Sequence, residues 1–190
     1  MRKLIFACVV LTSMVAVPAA GEPLVRMHTS YYYIDGPSAT VLAAQLDQNG
    51  PVGTDGSHYA GRTLWEIQWK FRHEQKGTSC SMKDVAVAVS VAQTMPRWRG
   101  EDKGAAGLKM LWTKFVDSLQ RHEGGHKEHG LNAGKEIEAA LLAAKPASNC
   151  ADLELAANTA AQSIVMKYQA LDEEYDRKTD HGRNQGATLL

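Results

Sequence analysis

The chain has 190 residues, of which 44% are hydrophobic and 22% charged, and its 21 basic residues balance its 21 acidic ones. This length suits one domain with a hydrophobic core, and the composition excludes a disordered chain. Without an excess of positive charge there is no basis for a nucleic-acid partner.

The first residues have the pattern of a secretory signal peptide. Arg2 and Lys3 precede an apolar stretch, 4–17, and small residues follow at 19–21. About 14 apolar residues are too few for a permanent membrane-spanning helix. We therefore expect residues 1–21 to be removed, which leaves one secreted or periplasmic domain, 22–190, that is not inserted in a membrane and has a formal charge of about −2.

Removal of the signal segment takes Cys8 away and leaves Cys80 and Cys150. Two cysteines in an oxidising compartment are most simply explained by a disulfide, and the alternative is a pair of buried free thiols. Closing a loop of about 70 residues would stabilise the fold by about 4 kcal/mol.

Strand patterns dominate the first half of the chain. Residues 25–34 are rich in β-formers, which predicts a strand, and Ser38 can cap a short helix that ends at Asn49-Gly50-Pro51. A glycine-rich loop then runs to about residue 62. Apolar and polar side chains alternate over 63–72 and again over 85–91, which predicts an antiparallel hairpin whose second strand ends at Pro96.

Helical periodicity replaces this alternation in the second half. Apolar residues at three- and four-residue steps predict a long helix that starts near Ala105 and reaches as far as Ala144. A second helix is predicted from about Asp152 to Tyr175, and glycines indicate a loop over 176–190. The expected fold is α+β, with a small antiparallel sheet packed on the long helix and on a second, C-terminal helix.

The long helix contains an HExxH sequence, formed by His122, Glu123 and His126. Positions i and i+4 lie one turn apart and differ by about 40° in direction, so both imidazoles can bind one ion. Glu123 points about 100° away from His122, which places it beside a metal as a general base for the attacking water.

The histidines of this helix continue its apolar stripe and are therefore expected to face inward. Inward imidazoles need partners, which a metal supplies. The alternatives are satisfied core histidines or a solvated helix. The stripe consists of Trp112, Phe115, Leu119, His122, His126 and His129.

Catalytic zinc requires a third protein ligand and leaves one position for water. His129 lies on the same stripe, but it is about 10.5 Å along the axis from His122, which would strain a tetrahedral site. His181 follows the second predicted helix and can reach the metal from a separate segment. The sequence therefore favours His181 and keeps His129 as the alternative ligand.

Residues close to His181 in sequence are candidates for supporting roles. Tyr175 or Arg183 is expected to stabilise an oxyanion, and Asp180 or Glu174 to orient a ligand imidazole. An extended substrate is expected to add as a strand along the edge of 85–91.

The chain resembles the bacterial family called domain of unknown function 922, described as predicted secreted zinc-dependent proteases. The resemblance covers most of the chain after the signal segment. It implies bound zinc, a zincin-like, minimal gluzincin-like metallopeptidase fold, and His181 as a metal-site residue. It is carried by Tyr33-Ile34-Asp35-Gly36, Thr63-Leu64-Trp65, Cys80 and Cys150, Leu119 through His126, Tyr175-Asp176, Thr179-Asp180-His181-Gly182 and Gln185-Gly186.

We therefore expect a secreted zinc-dependent endopeptidase that acts on peptide or protein substrates. In this hypothesis zinc on His122, His126 and His181 activates a water, and Glu123 takes its proton. One alternative is a non-catalytic zinc-binding protein of the cell envelope with a structural or partner-binding role. Another is a metal-free interaction module.

Overall fold

The computed structural model describes residues 21–190, so the expected signal peptide lies outside the described residues. Within them, three strands and three α-helices form an α+β fold. None of these helices is long and apolar enough to cross a membrane. The elements are β1 (Leu24–Ile34), α1 (Ala39–Asn49), β2 (Arg62–Lys76), β3 (Ser79–Trp98), α2 (Ala106–Leu142) and α3 (Cys150–Thr179), with short 3-10 turns at Glu101–Lys103 and Arg183–Gln185.

The sheet has the strand order β1-β3-β2, with β3 in the centre. The predicted antiparallel hairpin is present, because β2 and β3 pair on either side of a tight turn at Gly77, where φ is +59°. β1, however, runs parallel to β3, so the sheet is mixed and the expected purely antiparallel sheet is wrong. A tight turn forces antiparallel pairing only on the two strands that it joins, and α1 with the following loop separates β1 from both.

The central position of β3 corrects two further expectations. Residues 88–91 pair with β1 on one side and with β2 on the other, so this part of 85–91 is not the open edge that was expected to receive a substrate, and only 85–87 lie beyond the end of β1. The strand also continues past Pro96 to Trp98. Because β2 already ends opposite Thr94, only β1 flanks β3 there, and a residue without an N–H is tolerated beside an open edge.

The core is divided into two clusters of buried side chains along α2. The first half of α2 packs with α1 and the ends of β1 and β3, and the second half packs with β2, β3 and α3. The HExxH residues lie between these clusters. From α2, the first cluster contains Leu108, Trp112, Phe115 and Leu119, and the second contains Ala133, Ile137 and Leu141.

α3 lies antiparallel to α2 and is longer than predicted. It continues four residues past Tyr175 to Thr179 and ends at Asp180, which has a left-handed backbone conformation with φ +50°. Residues 176–179, expected in a loop, are therefore helical, and this places Asp176 one turn after Asp172.

The expected disulfide between Cys80 and Cys150 is present, with a Cα–Cα distance of 5.2 Å. Cys80 is fully buried near the turn of the β2–β3 hairpin, and Cys150 is the first residue of α3. The disulfide therefore attaches the start of α3 to the sheet.

Candidate metal centre

α2 places its two HExxH histidines and the glutamate between them in the interior. His122 and His126 are 3% and 7% exposed, as the stripe predicted, and Glu123 is 3% exposed. Gly125 is required at this crossing with α3, because a Cβ there would lie 2.6 Å from the ring of Tyr175. A Cβ at Gly124 would meet no described atom of another segment within 4 Å, so the close approach of α3 is confined to Gly125.

Three ligand atoms from two helices converge beside Glu123. His122 Nε2 and His126 Nε2 are 3.3 Å apart, and Asp176 Oδ1 lies 3.2 Å from the first and 3.0 Å from the second. In tetrahedral zinc sites, bonds of about 2.0–2.1 Å place neighbouring ligand atoms about 3.3–3.4 Å apart. The three atoms therefore have the spacing of metal ligands.

The other ring nitrogen of each histidine has its own acceptor. His126 Nδ1 donates to Asp172 Oδ1 at 2.8 Å, and His122 Nδ1 donates to Gln185 Oε1 at 3.1 Å. With the protons on Nδ1, both Nε2 lone pairs point toward the carboxylate of Asp176. Two lone pairs and a carboxylate oxygen repel one another unless a cation lies among them, so the donor set fits a metal ion.

The charges around this point also favour a cation. Burial lowers the pKa of His126, but its hydrogen bonds to Asp172 and Asp176 outweigh that effect and raise the pKa to about 10. Burial raises the pKa of Asp176, yet the adjacent His122 and His126 hold it well below its ordinary value. In the metal-free protein a proton supplies the positive charge, and a divalent ion would replace it.

Glu123 is a buried carboxylate in contact with the loop before β2. A Cβ at Gly61 would lie 2.9 Å from Glu123 Oε1 and 3.1 Å from Leu119 Cδ1, so a larger residue there would displace one of these side chains. Glu123 Oε2 has no hydrogen-bond partner among the described residues. Burial raises the pKa of Glu123, against the opposing effects of the Thr63 hydroxyl and the two imidazoles. A carboxyl group with a raised pKa is suited to accepting and returning a proton.

An open cleft of about 970 Å³ leads to these residues. Its floor is the His122–His126 turn of α2, one wall is the loop at 53–61 with the first residues of β2, and the other wall is the last part of α3. The loop is held by the Tyr32 hydroxyl, which donates to Ala60 O at 2.7 Å, and by Arg62, which donates to Val52 O at 2.6 Å.

The expected third ligand, His181, lies at the cleft but outside the converging set. Its side chain is 43% exposed, and its Nδ1 is 3.6 Å from Asp176 Oδ1. Its ring centroid is 4.5 Å from that of Tyr59, on the opposite wall. The atom that converges with the two imidazoles is Asp176 Oδ1 and not a nitrogen of His181. The alternative ligand, His129, instead donates from Nδ1 to Asp172 Oδ1 at 2.6 Å.

The residues expected to stabilise an oxyanion do not line the cleft. The ring of Tyr175 stacks on that of His122 at 5.0 Å, and its hydroxyl accepts from Gln185 Nε2 at 3.1 Å, behind the histidines. Arg183 is exposed and pairs with Asp180 at 3.8 Å. Tyr175 therefore supports the imidazole rings, and Arg183 lies outside the centre.

Orientation of the ligand imidazoles also comes from residues other than those expected. Asp180 borders the cleft, but no hydrogen bond joins it to an imidazole among the described residues, and Glu174 pairs with Lys178 on the surface. Asp172 and Gln185 hold the two histidines instead. The sequence signal that could have identified these acidic residues is the four-residue spacing of Asp172 and Asp176. On a helix antiparallel to α2, this spacing matches that of His126 and His122.

A family model described as bacterial protein of unknown function, DUF922, matches residues 29–182 of the 190. Comparisons with curated proteins and with solved structures found no match. The matched segment contains all three side chains whose ligand atoms converge, together with Glu123 and Asp172. The chain thus belongs to DUF922, a bacterial family of unknown function.

Proposed function

We propose that this protein is a zinc-dependent endopeptidase with a zincin-like, minimal gluzincin-like site. The observation that carries the proposal is the convergence of His122 Nε2, His126 Nε2 and Asp176 Oδ1 next to the buried carboxylate of Glu123. These groups lie at an open cleft, where a substrate can reach them.

The ligands in this proposal are His122, His126 and Asp176, with Asp176 in place of the His181 that the sequence favoured. Two imidazoles and one carboxylate form a donor set that zinc accepts, and three protein ligands leave room for water or substrate. Zinc bound there would polarise a substrate carbonyl and lower the pKa of water.

Glu123 is the proposed proton carrier. Its Oε2 has no hydrogen-bond partner among the described residues, so that atom is free to take a proton and return it to the leaving amine. The Thr63 hydroxyl donates to the main-chain oxygen of Glu123 at 3.1 Å, and Gln93 donates to that hydroxyl at 3.2 Å. These bonds connect the glutamate to both strands of the hairpin and fix its distance from the cleft wall.

The cleft supports an extended peptide as substrate. β2 is an edge strand of the sheet, and its first residues, Arg62 to Trp65, form part of the cleft wall above Glu123. An added peptide strand could bond to this edge through main-chain atoms, which would place a peptide bond near the HExxH turn. The cleft is open, and an open cleft suits cleavage within a chain.

The disulfide supports a location outside the cytoplasm. Cys80 and Cys150 are bonded, and structural disulfides persist in oxidising compartments. Together with the N-terminal signal pattern, this supports a secreted or periplasmic enzyme.

The decisive experiment compares wild type with Glu123→Gln, using Glu128→Gln as an exposed control on the same helix. Zinc content after purification without chelators and cleavage of unfolded protein substrates are measured. We expect Glu123→Gln to keep its zinc and to lose about 10²- to 10⁴-fold in rate, the usual contribution of a general base. The control should behave as wild type.

Each other outcome has a distinct meaning. Equal cleavage by Glu123→Gln and wild type would remove Glu123 from the mechanism. Zinc binding without any cleavage by the wild type would favour the non-catalytic zinc-binding alternative. A wild-type protein that binds no zinc would contradict the metal centre itself.

A further inference from the structure

One carboxylate group, that of Asp172, accepts hydrogen bonds from three aromatic side chains on two other elements. Its Oδ1 accepts from His126 Nδ1 at 2.8 Å and from His129 Nδ1 at 2.6 Å. Its Oδ2 accepts from Trp65 Nε1 at 2.6 Å. Asp172 on α3 thus joins two turns of α2 to the β2 edge of the cleft.

This set of bonds fixes the carboxylate in both position and plane. Hydrogen bonds to an ionised acceptor are short and strong, and here both oxygens are engaged. The side chain of Asp172 is only 20% exposed, so water competes weakly for it. With Trp65 and His129 holding the carboxylate, the remaining acceptor direction points at His126 Nδ1.

A fixed hydrogen-bond acceptor at Nδ1 determines which ring nitrogen of His126 is available to bind a metal. The ring proton stays on Nδ1, and the Nε2 lone pair is directed at His122 Nε2 and Asp176 Oδ1. If Asp172 were free to rotate, His126 could carry its proton on Nε2, and the ligand atom would be lost.

We propose that Asp172 is the positioning residue of the metal centre, and that His129 and Trp65 act through it by holding its carboxylate in place. His129 is then a supporting donor and not a ligand. The proposal rests on the metal centre of the proposed function and not on peptide hydrolysis. It also makes the β2 edge and the metal ligand parts of one hydrogen-bonded unit.

The test is zinc affinity, measured by competition with a chromophoric chelator at constant pH on metal-free protein with its disulfide intact. Asp172→Asn keeps the shape of the side chain but turns an NH₂ group toward a donor, either Trp65 or a histidine. We expect its zinc affinity to fall about 10- to 100-fold, the usual effect of losing an outer hydrogen bond to a metal-bound histidine. Glu174→Gln, two residues away on the same helix, is the matched control and should bind zinc as wild type does.

Two substitutions at His129 test the supporting role. Asn can place an amide N–H close to the position of Nδ1, whereas Leu removes the donor. His129→Asn should therefore bind zinc nearly as tightly as wild type, and His129→Leu more weakly. Trp65→Phe should also bind more weakly, since it frees Asp172 Oδ2. Loss of zinc by His129→Leu as complete as that caused by His122→Ala would overturn the proposal and make His129 a ligand.

A nuclear magnetic resonance signal distinguishes the proposed positioning role of Asp172 from a merely structural one. In zinc-loaded wild type the His126 Nδ1–H should be visible and protected from exchange with water, and in Asp172→Asn it should exchange rapidly while the rest of the spectrum is retained. Wild-type zinc affinity in Asp172→Asn would overturn the proposal. Zinc binding with the expected dependence on residue 172, but no peptide cleavage, would support this inference and contradict only the hydrolytic function.

Discussion

Replacing Glu123 by glutamine is expected to stabilise the metal-free protein, although it removes the proposed base. The glutamate is 3% exposed, and its Oε2 lacks a hydrogen-bond partner among residues 21–190. A buried polar group without a partner costs about 1–3 kcal/mol, and a charge costs more. Taking about 2 kcal/mol as the gain in the free energy of unfolding, the melting temperature should rise by about 4–8 °C for a domain of this size.

The gain should depend on pH, because burial raises the pKa of Glu123 above its ordinary value of 4.5. At a pH below the ordinary value the carboxyl is protonated in both the folded and the unfolded chain, and glutamine has no advantage. As the pH rises, the unfolded chain ionises first and the folded protein must then keep a buried charge. The wild type therefore loses stability relative to the variant between the unfolded and the folded pKa.

Thermal unfolding followed by circular dichroism measures this difference on chelator-treated protein, at about pH 4 and about pH 8. Glu128→Gln provides the control, since that side chain is 58% exposed on the same helix. A lower melting temperature for Glu123→Gln at the higher pH, or an equal gain at both pH values, would refute the reasoning.

Three further predictions concern the glycines, the third ligand and the disulfide. Gly124→Ala should raise the free energy of unfolding by about 1 kcal/mol, because alanine has the higher helix propensity and its Cβ meets open space. Gly125→Ala should lower the free energy of unfolding by about 1–3 kcal/mol, because its Cβ would overpack against Tyr175. Urea unfolding of both variants and the wild type measures these changes. Asp176→Ala should weaken zinc binding by at least about 100-fold in a chelator competition, and His181→Ala should not; the reverse order would restore His181 as the ligand. Reducing the disulfide, which spans 70 residues, should lower the free energy of unfolding by about 4 kcal/mol, and an unchanged urea midpoint would contradict this.

Side-chain periodicity was sufficient to predict most of the elements. The alternation over 63–72 and the three- and four-residue steps of α2 reflect burial on one face, which is a local property of the sequence. The direction of β1 relative to β3 is not determined by the local sequence. Whether β1 runs parallel or antiparallel to β3 depends on the path of the chain after α1. The residues of β1 carry no information about that path.

The sequence predicted those residues of the candidate metal centre that lie together on one helix. His122, Glu123 and His126 have a fixed mutual geometry on α2, so their spacing alone placed them together. Asp176 was missed because α3 was expected to end at Tyr175, and charged residues in its last turns hid the helical continuation. The pairing of Asp172 and Asp176 with the histidines depends on the register between two antiparallel helices, which is a tertiary property.

α3 is attached at both of its ends by different chemistry. Its first residue is held covalently by Cys80, and about 33–39 Å farther along the axis its carboxylates contact the histidines of α2. The two attachments are broken by different changes: a reductant cleaves the disulfide at the start of α3, whereas substitution of Asp172 and Asp176 removes the contacts of its last turns. A reductant should therefore loosen the start of α3 while the contacts between its carboxylates and the histidines remain.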